Sequence, residues 1–185
     1  MERTGARSAN ALARALVLRV EEPCRAPGKA VYDVLADPRT HLTWPGERHR
    51  KRTRLLSIKA PQGPVAVGTE FRTTGADARG SFSDRSVVTE ATAGKTIEFV
   101  TEARRTTRKG RVIDWTNVHR YELTSEANGC RIAYTIRVAR INKLVGMLVA
   151  FRIPGLRVLG LRASAGVARR GLRRLTRMAQ EGWRT

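Results

Sequence analysis

The sequence has few cysteines, few aromatic residues and no long apolar run. Its 185 residues include two cysteines, Cys24 and Cys130, which are too few for a disulfide scaffold or for a zinc site built from cysteine ligands. The most apolar run, residues 144–151, is bracketed by Lys143 and Arg152, and it is far shorter than the roughly 20 residues that a membrane-spanning helix needs. These shortages exclude a disulfide-stapled domain, a cysteine zinc site and a helix that crosses a bilayer.

The chain also lacks the short motifs of several enzyme classes. It contains no glycine-rich phosphate loop, no G-x-S-x-G turn, no H-E-x-x-H pair and no paired-cysteine metal motif. Its three histidines, His41, His49 and His119, are not spaced as ligands of one metal ion. We therefore expect no metal site and no cofactor, and any catalysis would use ordinary side chains.

The first residues do not have the pattern of a signal peptide. Arginines recur through residues 1–19, with no continuous apolar stretch and no clear cleavage site. Residues 1–14 are small and polar without a period, which predicts a flexible leader before one domain over residues 15–185. We expect a cytoplasmic protein whose two cysteines remain reduced.

Positive charge is what the sequence has in excess. Lys and Arg total 36 against 16 Asp and Glu, a formal net charge of +20, and 30 of those 36 residues are arginine. This excess attracts polyanions, although a GC-rich coding bias toward arginine gives the same composition. The basic residues cluster at 48–54, at 104–111 and along the C-terminal part of the chain, where a solvated face is the simplest interpretation.

Nucleic acid and an anionic membrane surface are the two polyanions that such an excess of positive charge suggests as partners. Few aromatic residues accompany the basic clusters, and no nucleic-acid recognition module is visible, so nucleic acid is not an expected partner. An anionic membrane surface is a candidate partner, because basic residues flank the apolar residues 144–151.

The apolar pattern and the turn residues predict a strand, two short helices, six strands and a long helix. Alternating apolar residues at 16–20 indicate the first strand, and Pro27 and Pro38 can each open a short helix. Turn residues then delimit predicted strands at 52–59, 67–74, 81–90, 96–104, 111–123 and 130–140. The short connections indicate a meandering antiparallel sheet.

The last part of the chain is predicted to be helical. Asn142 can cap a helix over residues 143–152, Pro154 interrupts it, and a longer helix runs from about Gly155 to Gln180. One stripe of that helix is apolar or small: Leu161, Ala165, Ala168, Leu172, Leu175 and Ala179. The other side carries Arg162, Arg169, Arg173 and Arg177. Such a stripe needs apolar cover, which only the sheet can supply.

This order of elements, together with the sequences VYDVLADPRTHLTWPG, VGTEF and YELTSEANGCRIAYTIRV before a terminal helix, resembles the SRPBCC or START-like superfamily. Its polyketide cyclase/dehydrase and lipid transport branch is the most similar, over roughly residues 16–181. The resemblance implies an α+β helix-grip fold, in which a curved seven-stranded antiparallel sheet wraps a long C-terminal helix, with two short helices after the first strand. The fold would enclose a cavity for an apolar ligand. It would also pair the first and last strands and so bring Cys24 and Cys130 close together.

The same resemblance draws attention to residues 143–161. This stretch is longer and more hydrophobic than a direct turn from strand to helix requires. It is therefore a candidate lid or membrane-touching element.

Strand alternation indicates which side chains would face that cavity. Asn117, His119 and Tyr121 share one face of their strand, and the strands around it contribute further aromatic and apolar residues by the same count. The predicted ligand-binding residues are Trp44, Phe71, Thr73, Phe99, Trp115, Tyr134 and Ile136. In the related family the position that matches Trp44 closes one mouth of the cavity. For each aromatic residue, packing in the core without ligand contact is the alternative interpretation.

Two functions that use the cavity remain open at this point. The first is binding of a hydrophobic small molecule, either lipid-like or polyketide-like. The second is a cofactor-free polyketide aromatase/cyclase or dehydratase, in which His119 would move protons, Tyr121 or Tyr134 would donate to the developing oxyanion, and Asn117 would orient the substrate. A histidine that is merely hydrogen-bonded at the cavity rim is the alternative for His119. A basic interaction module with a collapsed cavity is a third interpretation.

Overall fold

The computed structural model describes residues 16–44, 53–77, 80–142 and 153–183. The strands are β1 (Val17–Cys24), β2 (Thr53–Lys59), β3 (Glu70–Asp77), β4 (Gly80–Thr92), β5 (Thr96–Thr107), β6 (Val112–Glu126) and β7 (Gly129–Ile141). The helices are α1 (Gly28–Leu35), a short 3-10 helix (Pro38–Leu42) and α2 (Pro154–Trp183).

Two short helices follow the first strand, and the sequence explains where each begins. Pro27 precedes α1, and the helix buries one face through Val31, Tyr32 and Leu35. Asp37 caps the 3-10 helix, because its side chain accepts a hydrogen bond of 3.0 Å from the backbone N–H of Arg39. These helices close one end of the sheet.

The seven strands form one antiparallel sheet in the order β1-β7-β6-β5-β4-β3-β2. Strands β2 to β7 are neighbours in sequence order, so short turns connect most of them, as the glycine-rich turns predict. β1 instead pairs with β7, and this pairing places Cys24 directly opposite Cys130. The first and last strands therefore lie side by side at one edge of the sheet.

Helix α2 covers one face of this sheet with its apolar stripe. Leu172, Leu175 and Ala179 are buried, and Ala165 and Ala168 pack against the same core. The arginines of the opposite side are exposed at Arg162, Arg169, Arg173 and Arg177. The helix contacts β1 and α1. The predicted amphipathic division of the helix is confirmed, and the core lies between α2, α1 and the concave face of the sheet.

The predicted fold class is confirmed, with some boundaries moved. β3 begins at Glu70, so the strand predicted over residues 67–74 starts too early, and Val67 lies before the strand with 65% of its surface exposed. The predicted leader over residues 1–14, the helix over residues 143–152 and most of the basic cluster at residues 48–54 lie outside the described residues. Among the helices that are described, none is long and apolar enough to cross a membrane.

Candidate functional site

A cavity of about 560 Å³ lies between the concave face of the sheet and the N-terminal half of α2. Eight of the ten residues that the sequence predicted for a site line it: Trp44, Phe71, Thr73, Phe99, His119, Tyr121, Tyr134 and Ile136. From α2 the lining includes Leu161, Val167 and Ala168. The walls are mainly aromatic and aliphatic, which is typical of sites for small apolar molecules.

The aromatic residues of the wall stack across neighbouring strands. Phe99 on β5 lies opposite His119 on β6 in the register, and their ring centroids are 4.8 Å apart with an interplanar angle of 17°. Tyr121 and Tyr134 are register partners on β6 and β7, with centroids 4.6 Å apart. Phe71 meets Phe99 edge to face at 5.5 Å. Antiparallel pairing thus brings side chains from distant parts of the chain into one aromatic surface.

His119 is hydrogen-bonded within that surface. Its Nδ1 atom lies 2.8 Å from the hydroxyl oxygen of Tyr134. Burial and, to a smaller extent, the charge of the neighbouring His41 lower the pKa of His119 to about 3. Burial also raises the pKa of Tyr121 well above its ordinary value and raises that of Tyr134. Near neutral pH these groups are therefore uncharged hydrogen-bonding groups.

A second histidine, His41, lies in the cavity wall and was not among the predicted site residues. It is 9% exposed, and its ring centroid lies 4.9 Å from that of Trp44 and 5.7 Å from that of Phe71. Burial lowers its pKa to about 4, while hydrogen bonding to the Leu35 backbone and the charge of Asp37 oppose that shift. Its Nε2 atom is buried without a hydrogen-bond partner among the described residues.

Asp84 is the other polar residue of the wall that the sequence analysis missed. It lies on β4, opposite Thr73 and Ala103 in the register, and so shares their face. Burial raises the pKa of its carboxyl to about 6, although Arg105 and a hydrogen bond from Thr73 lower it. The Oδ1 atom is buried and has no partner within the described part of the chain. Applying the alternation rule to β4 would have found this residue.

Two further hydroxyls of the wall bond to each other. The side-chain oxygens of Ser86 and Thr101, register partners on β4 and β5, are 2.8 Å apart and buried. One hydroxyl donates to the other, so each of the two oxygens has a partner within the wall.

Asn117 and Trp115, both predicted site residues, are not among the described residues that line the cavity. Asn117 is opposite Thr101 in the register, but a bulge between Thr116 and Asn117 interrupts the pairing of β6 with β7. Trp115 lies beyond the bulge and lines an open groove of about 640 Å³, together with polar outward residues such as Arg104. β6 pairs with β5 without interruption through both residues, and neither residue belongs to the described lining of the cavity.

The two cysteines are free thiols, buried at the paired edge of β1 and β7. The Cys24 sulfur lies 3.9 Å from the backbone oxygen of Thr176 on α2. A hydrogen bond from the Cys130 thiol lowers the pKa of Cys24 to about 7. No group of three or more His, Cys, Asp or Glu in the described ranges is arranged to hold a metal ion.

Comparison with known proteins shows the fold. No protein-family model matches the chain, and no curated protein does. Among solved structures, a Staphylococcus aureus protein of unknown function is similar at 9% identity, with 92% of this chain and 96% of that chain covered and a TM-score of 0.64. An uncharacterised Rhizobium leguminosarum protein is 14% identical over 90% of this chain and 95% of that chain, with a TM-score of 0.62. An AHSA1-like protein from Aeromonas hydrophila is 15% identical over 90% and 94%, with a TM-score of 0.52. These likenesses, with the sheet and helix described above, show that the chain has a helix-grip-like fold.

Proposed function

We propose that this protein binds a small, largely apolar molecule in the cavity under α2. The observation that supports the proposal is a concave pocket of about 560 Å³, partly open to solvent, whose wall is mostly aromatic and aliphatic. A large apolar concavity that carries only a few polar groups is typical of small-molecule sites. The START-like fold agrees with this function, and lipid-like and polyketide-like molecules fit the wall equally well.

The test uses a helix residue that faces the cavity and a matched residue that does not. Ala168 on α2 lines the cavity, whereas Ala163 on the same helix is exposed and is not in that lining. The neutral dye diphenylhexatriene, which fluoresces in apolar surroundings, is titrated into wild type, Ala168→Trp and Ala163→Trp. We expect wild type and Ala163→Trp to bind the dye and Ala168→Trp to bind at least ~10-fold more weakly, because the indole fills the space. Equal binding by all three proteins would place the dye elsewhere and contradict the proposal.

A cyclase or dehydratase reaction in the same cavity is the second candidate. The sequence predicted His119 as the proton carrier of this reaction. The pKa of His119, about 3, keeps the imidazole neutral and only weakly basic near pH 7, so His119 is poorly suited to that role. Asp84 lines the cavity, and its pKa of about 6 lets its carboxyl exchange protons near neutral pH. This carboxyl is the observation that favours a cyclase or dehydratase as the second candidate function.

Turnover can be tested with heptane-2,4,6-trione, a simple linear polyketone whose cyclisation changes its ultraviolet absorbance. If the cavity is catalytic, wild type accelerates the reaction, Asp84→Asn loses that acceleration and His119→Ala retains much of it. Identical rates for wild type and Asp84→Asn would remove Asp84 from the mechanism. Loss of activity in His119→Ala alone would restore the original assignment.

We also propose contact with an anionic membrane surface. At the start of α2, four apolar residues are exposed, namely Ile153, Leu156, Val158 and Leu159. Arg157 and Arg162 lie among them on the same helix, and apolar side chains beside basic ones are typical of segments that bind anionic lipid surfaces.

Vesicle sedimentation tests this contact at physiological salt, where diffuse attraction is screened within about 8 Å. We expect binding to vesicles with anionic phosphatidylserine, little binding to phosphatidylcholine vesicles, and weaker binding of a Leu156→Ser/Leu159→Ser variant. Binding that disappears at physiological salt would show that the net charge of +20 acts only nonspecifically.

A further inference from the structure

We infer that the cavity selects apolar molecules that carry O–H or N–H donors, and rejects carboxylates, because Nε2 of His41 and Oδ1 of Asp84 are unpaired hydrogen-bond acceptors in its wall. This inference rests on the proposed binding function and names the class of ligand. It follows from the two buried polar side-chain atoms without a partner among the described residues. Both residues line the same cavity.

The tautomer of His41 makes its Nε2 atom an acceptor. The ring is neutral near pH 7, and its hydrogen bond with the Leu35 backbone favours the protonated form, so the ring N–H donates in that bond. Since Nε2 has no partner, that N–H is on Nδ1, and Nε2 carries the lone pair. Trp44, Phe71 and Phe99 surround the ring and offer no acceptor that would compete for a donor.

The carboxyl of Asp84 is the second acceptor. Thr73 already donates a hydrogen bond to this carboxyl, while Oδ1 remains unpaired. An ionised carboxylate only accepts hydrogen bonds, and leaving one of its oxygens buried and unpaired is unfavourable. A hydroxyl or amine of a ligand would supply the missing donor.

The two acceptors are placed for one extended ligand. His41 packs on Phe71, and Asp84 lies opposite Thr73, two residues further along β3. Two residues of a strand span roughly 7 Å. Ser86 bonds to Thr101, and Nδ1 of His119 bonds to the hydroxyl of Tyr134. Among the buried side-chain nitrogen and oxygen atoms of the described wall, only Nε2 of His41 and Oδ1 of Asp84 lack any partner. The two unpaired acceptors would therefore be satisfied by an apolar ligand that carries hydrogen-bond donors at two points along its length.

The same wall disfavours anions. The described lining contains no lysine or arginine, although the chain has 36 of them. A carboxylate in this cavity would lose its hydration and face the charge of Asp84. The positive charge of Arg105, which lies close enough to lower the pKa of Asp84, is already opposed by that carboxylate. The selectivity of the cavity is thus opposite to the one that the net charge suggests.

The test compares three probes with the same alkylphenyl body. 4-Pentylphenol offers a donor, 4-pentylanisole offers only an acceptor, and 4-pentylbenzoate carries an anion. Each is used to displace diphenylhexatriene from wild type at pH 8, where Asp84 is ionised. We expect the phenol to compete at least ~10-fold better than the anisole, since one buried acceptor gains a donor, and the benzoate to compete least.

Two substitutions test whether the acceptors of His41 and Asp84 cause the preference for ligands with a hydrogen-bond donor. His41→Phe keeps an aromatic ring without the nitrogen lone pair, and Asp84→Ala removes the carboxyl. In the double variant we expect phenol and anisole to compete within about twofold of each other. The control, Glu102→Gln, removes a negative charge from an exposed position on β5 and should keep the wild-type preference.

The outcomes separate this inference from the proposed function. Equal competition by phenol and anisole on wild type would overturn the donor preference and leave apolar binding in place. Better competition by the benzoate would overturn it as well. A preference that survives in a folded double variant would show that other atoms cause it. Failure of diphenylhexatriene to bind wild type at all would overturn both the inference and the proposed function. The comparison of the three probes on wild type uses no variant. It therefore tests the inference even if a substituted protein does not fold.

Discussion

His41 and His119 lie among aromatic neighbours in the cavity wall, and burial lowers the pKa of His41 to about 4 and that of His119 to about 3. An exposed histidine titrates near 6.5. Both rings therefore stay neutral in the folded chain at pH values where they would be protonated in the unfolded chain. This difference ties the stability of the fold to pH.

Acid should destabilise the protein well above the pH at which exposed carboxylates titrate. As pH falls below 6.5, the unfolded state binds protons that the folded histidines do not, so each histidine lowers the free energy of unfolding by about 1.4 kcal/mol per pH unit. For His41 this continues to about pH 4. Asp84 acts in the opposite direction between about pH 6 and its ordinary value of 3.8. Two histidines outweigh one carboxyl, so the net effect is loss of stability.

Urea unfolding at pH 7, 6 and 5 measures this dependence. His41→Phe should reduce the slope of the free energy of unfolding against pH. A wild-type stability that does not change between pH 7 and 5 would contradict the burial of both rings.

Asp84→Asn should stabilise the fold at pH 8. The folded pKa of Asp84, about 6, exceeds its ordinary value of 3.8, so the folded state binds the extra proton between these values, and stability falls as pH rises through that window. Above it the ionised carboxyl costs about 3 kcal/mol, which an uncharged amide avoids. The variant should gain most of this at pH 8 and little at pH 4, as measured by urea unfolding. The exposed Glu102→Gln should change stability by less than about 0.5 kcal/mol. Equal stability of wild type and Asp84→Asn at pH 8 would mean that water reaches the carboxyl.

For individual residues, the sequence predicted the cavity lining correctly on strands where side chains alternate regularly between the two faces of the sheet. Alternation on β5, β6 and β7 predicted Phe99, His119 and Tyr134, which line the cavity. His41 was missed because a short 3-10 helix has no apolar period to show which side faces inward. Asp84 was missed because the rule was not applied to its strand, where a charged residue is ordinarily assigned to water.

The elements of the fold depend on a few backbone positions that only glycine can occupy. Gly129, in the turn from β6 to β7, has a φ of +132°, and a Cβ there would lie 2.1 Å from the backbone oxygen of Cys24. The turn therefore meets the end of β1 where the two cysteines face each other. Any side chain would push the edge strand away from β7.

Gly129→Ala should lower the free energy of unfolding by at least about 3 kcal/mol, because it adds a clash with backbone to an unfavourable φ. The matched control is Gly110→Ala in the turn from β5 to β6, where φ is +71° and no atom lies within 4 Å of the new Cβ. There we expect a loss of about 1–2 kcal/mol from the φ alone. Thermal or urea unfolding of both variants measures the difference, and equal losses would contradict the close approach of the turn to β1.

The periodic spacing of apolar residues predicted most helices and strands, because each of these elements has one apolar face and one polar face. The stripe of α2 and the turn glycines placed the long helix and six of the seven strands within a few residues. The start of β3 was set too early because the apolar Val67 was taken for part of the strand. The bulge in the pairing of β6 with β7 at Thr116 and Asn117 has no sequence signature and could be seen only in the structure.

At the scale of the whole molecule, charge and cavity are separated in space. Outward residues of the sheet form ion pairs, such as Arg120 with Glu98 and Glu122, and the arginines of α2 face away from the sheet. The described cavity lining holds neither lysine nor arginine. Composition alone indicates polyanions as partners, whereas the lining of the cavity suits an uncharged apolar molecule.

The pairing of β1 with β7 is also a property of the whole chain. Cys24 and Cys130 are far apart in sequence, and no local pattern relates them. Their proximity followed only from the resemblance to START-like proteins, and the register confirms it. The pairing of β1 with β7 could thus be predicted only by analogy, whereas the turn residues predicted the meander from β2 to β7.

Native mass spectrometry of freshly purified protein, compared with its denatured mass, tests the binding function most directly. We expect the native wild type to carry an added mass that extraction identifies as an apolar molecule with hydroxyl or amine groups. The same preparation of Ala168→Trp should carry little of it, and Ala163→Trp should carry as much as wild type. A native mass equal to the bare chain, which persists after incubation with 4-pentylphenol and with lipids, would contradict the account and shift attention to the basic surface.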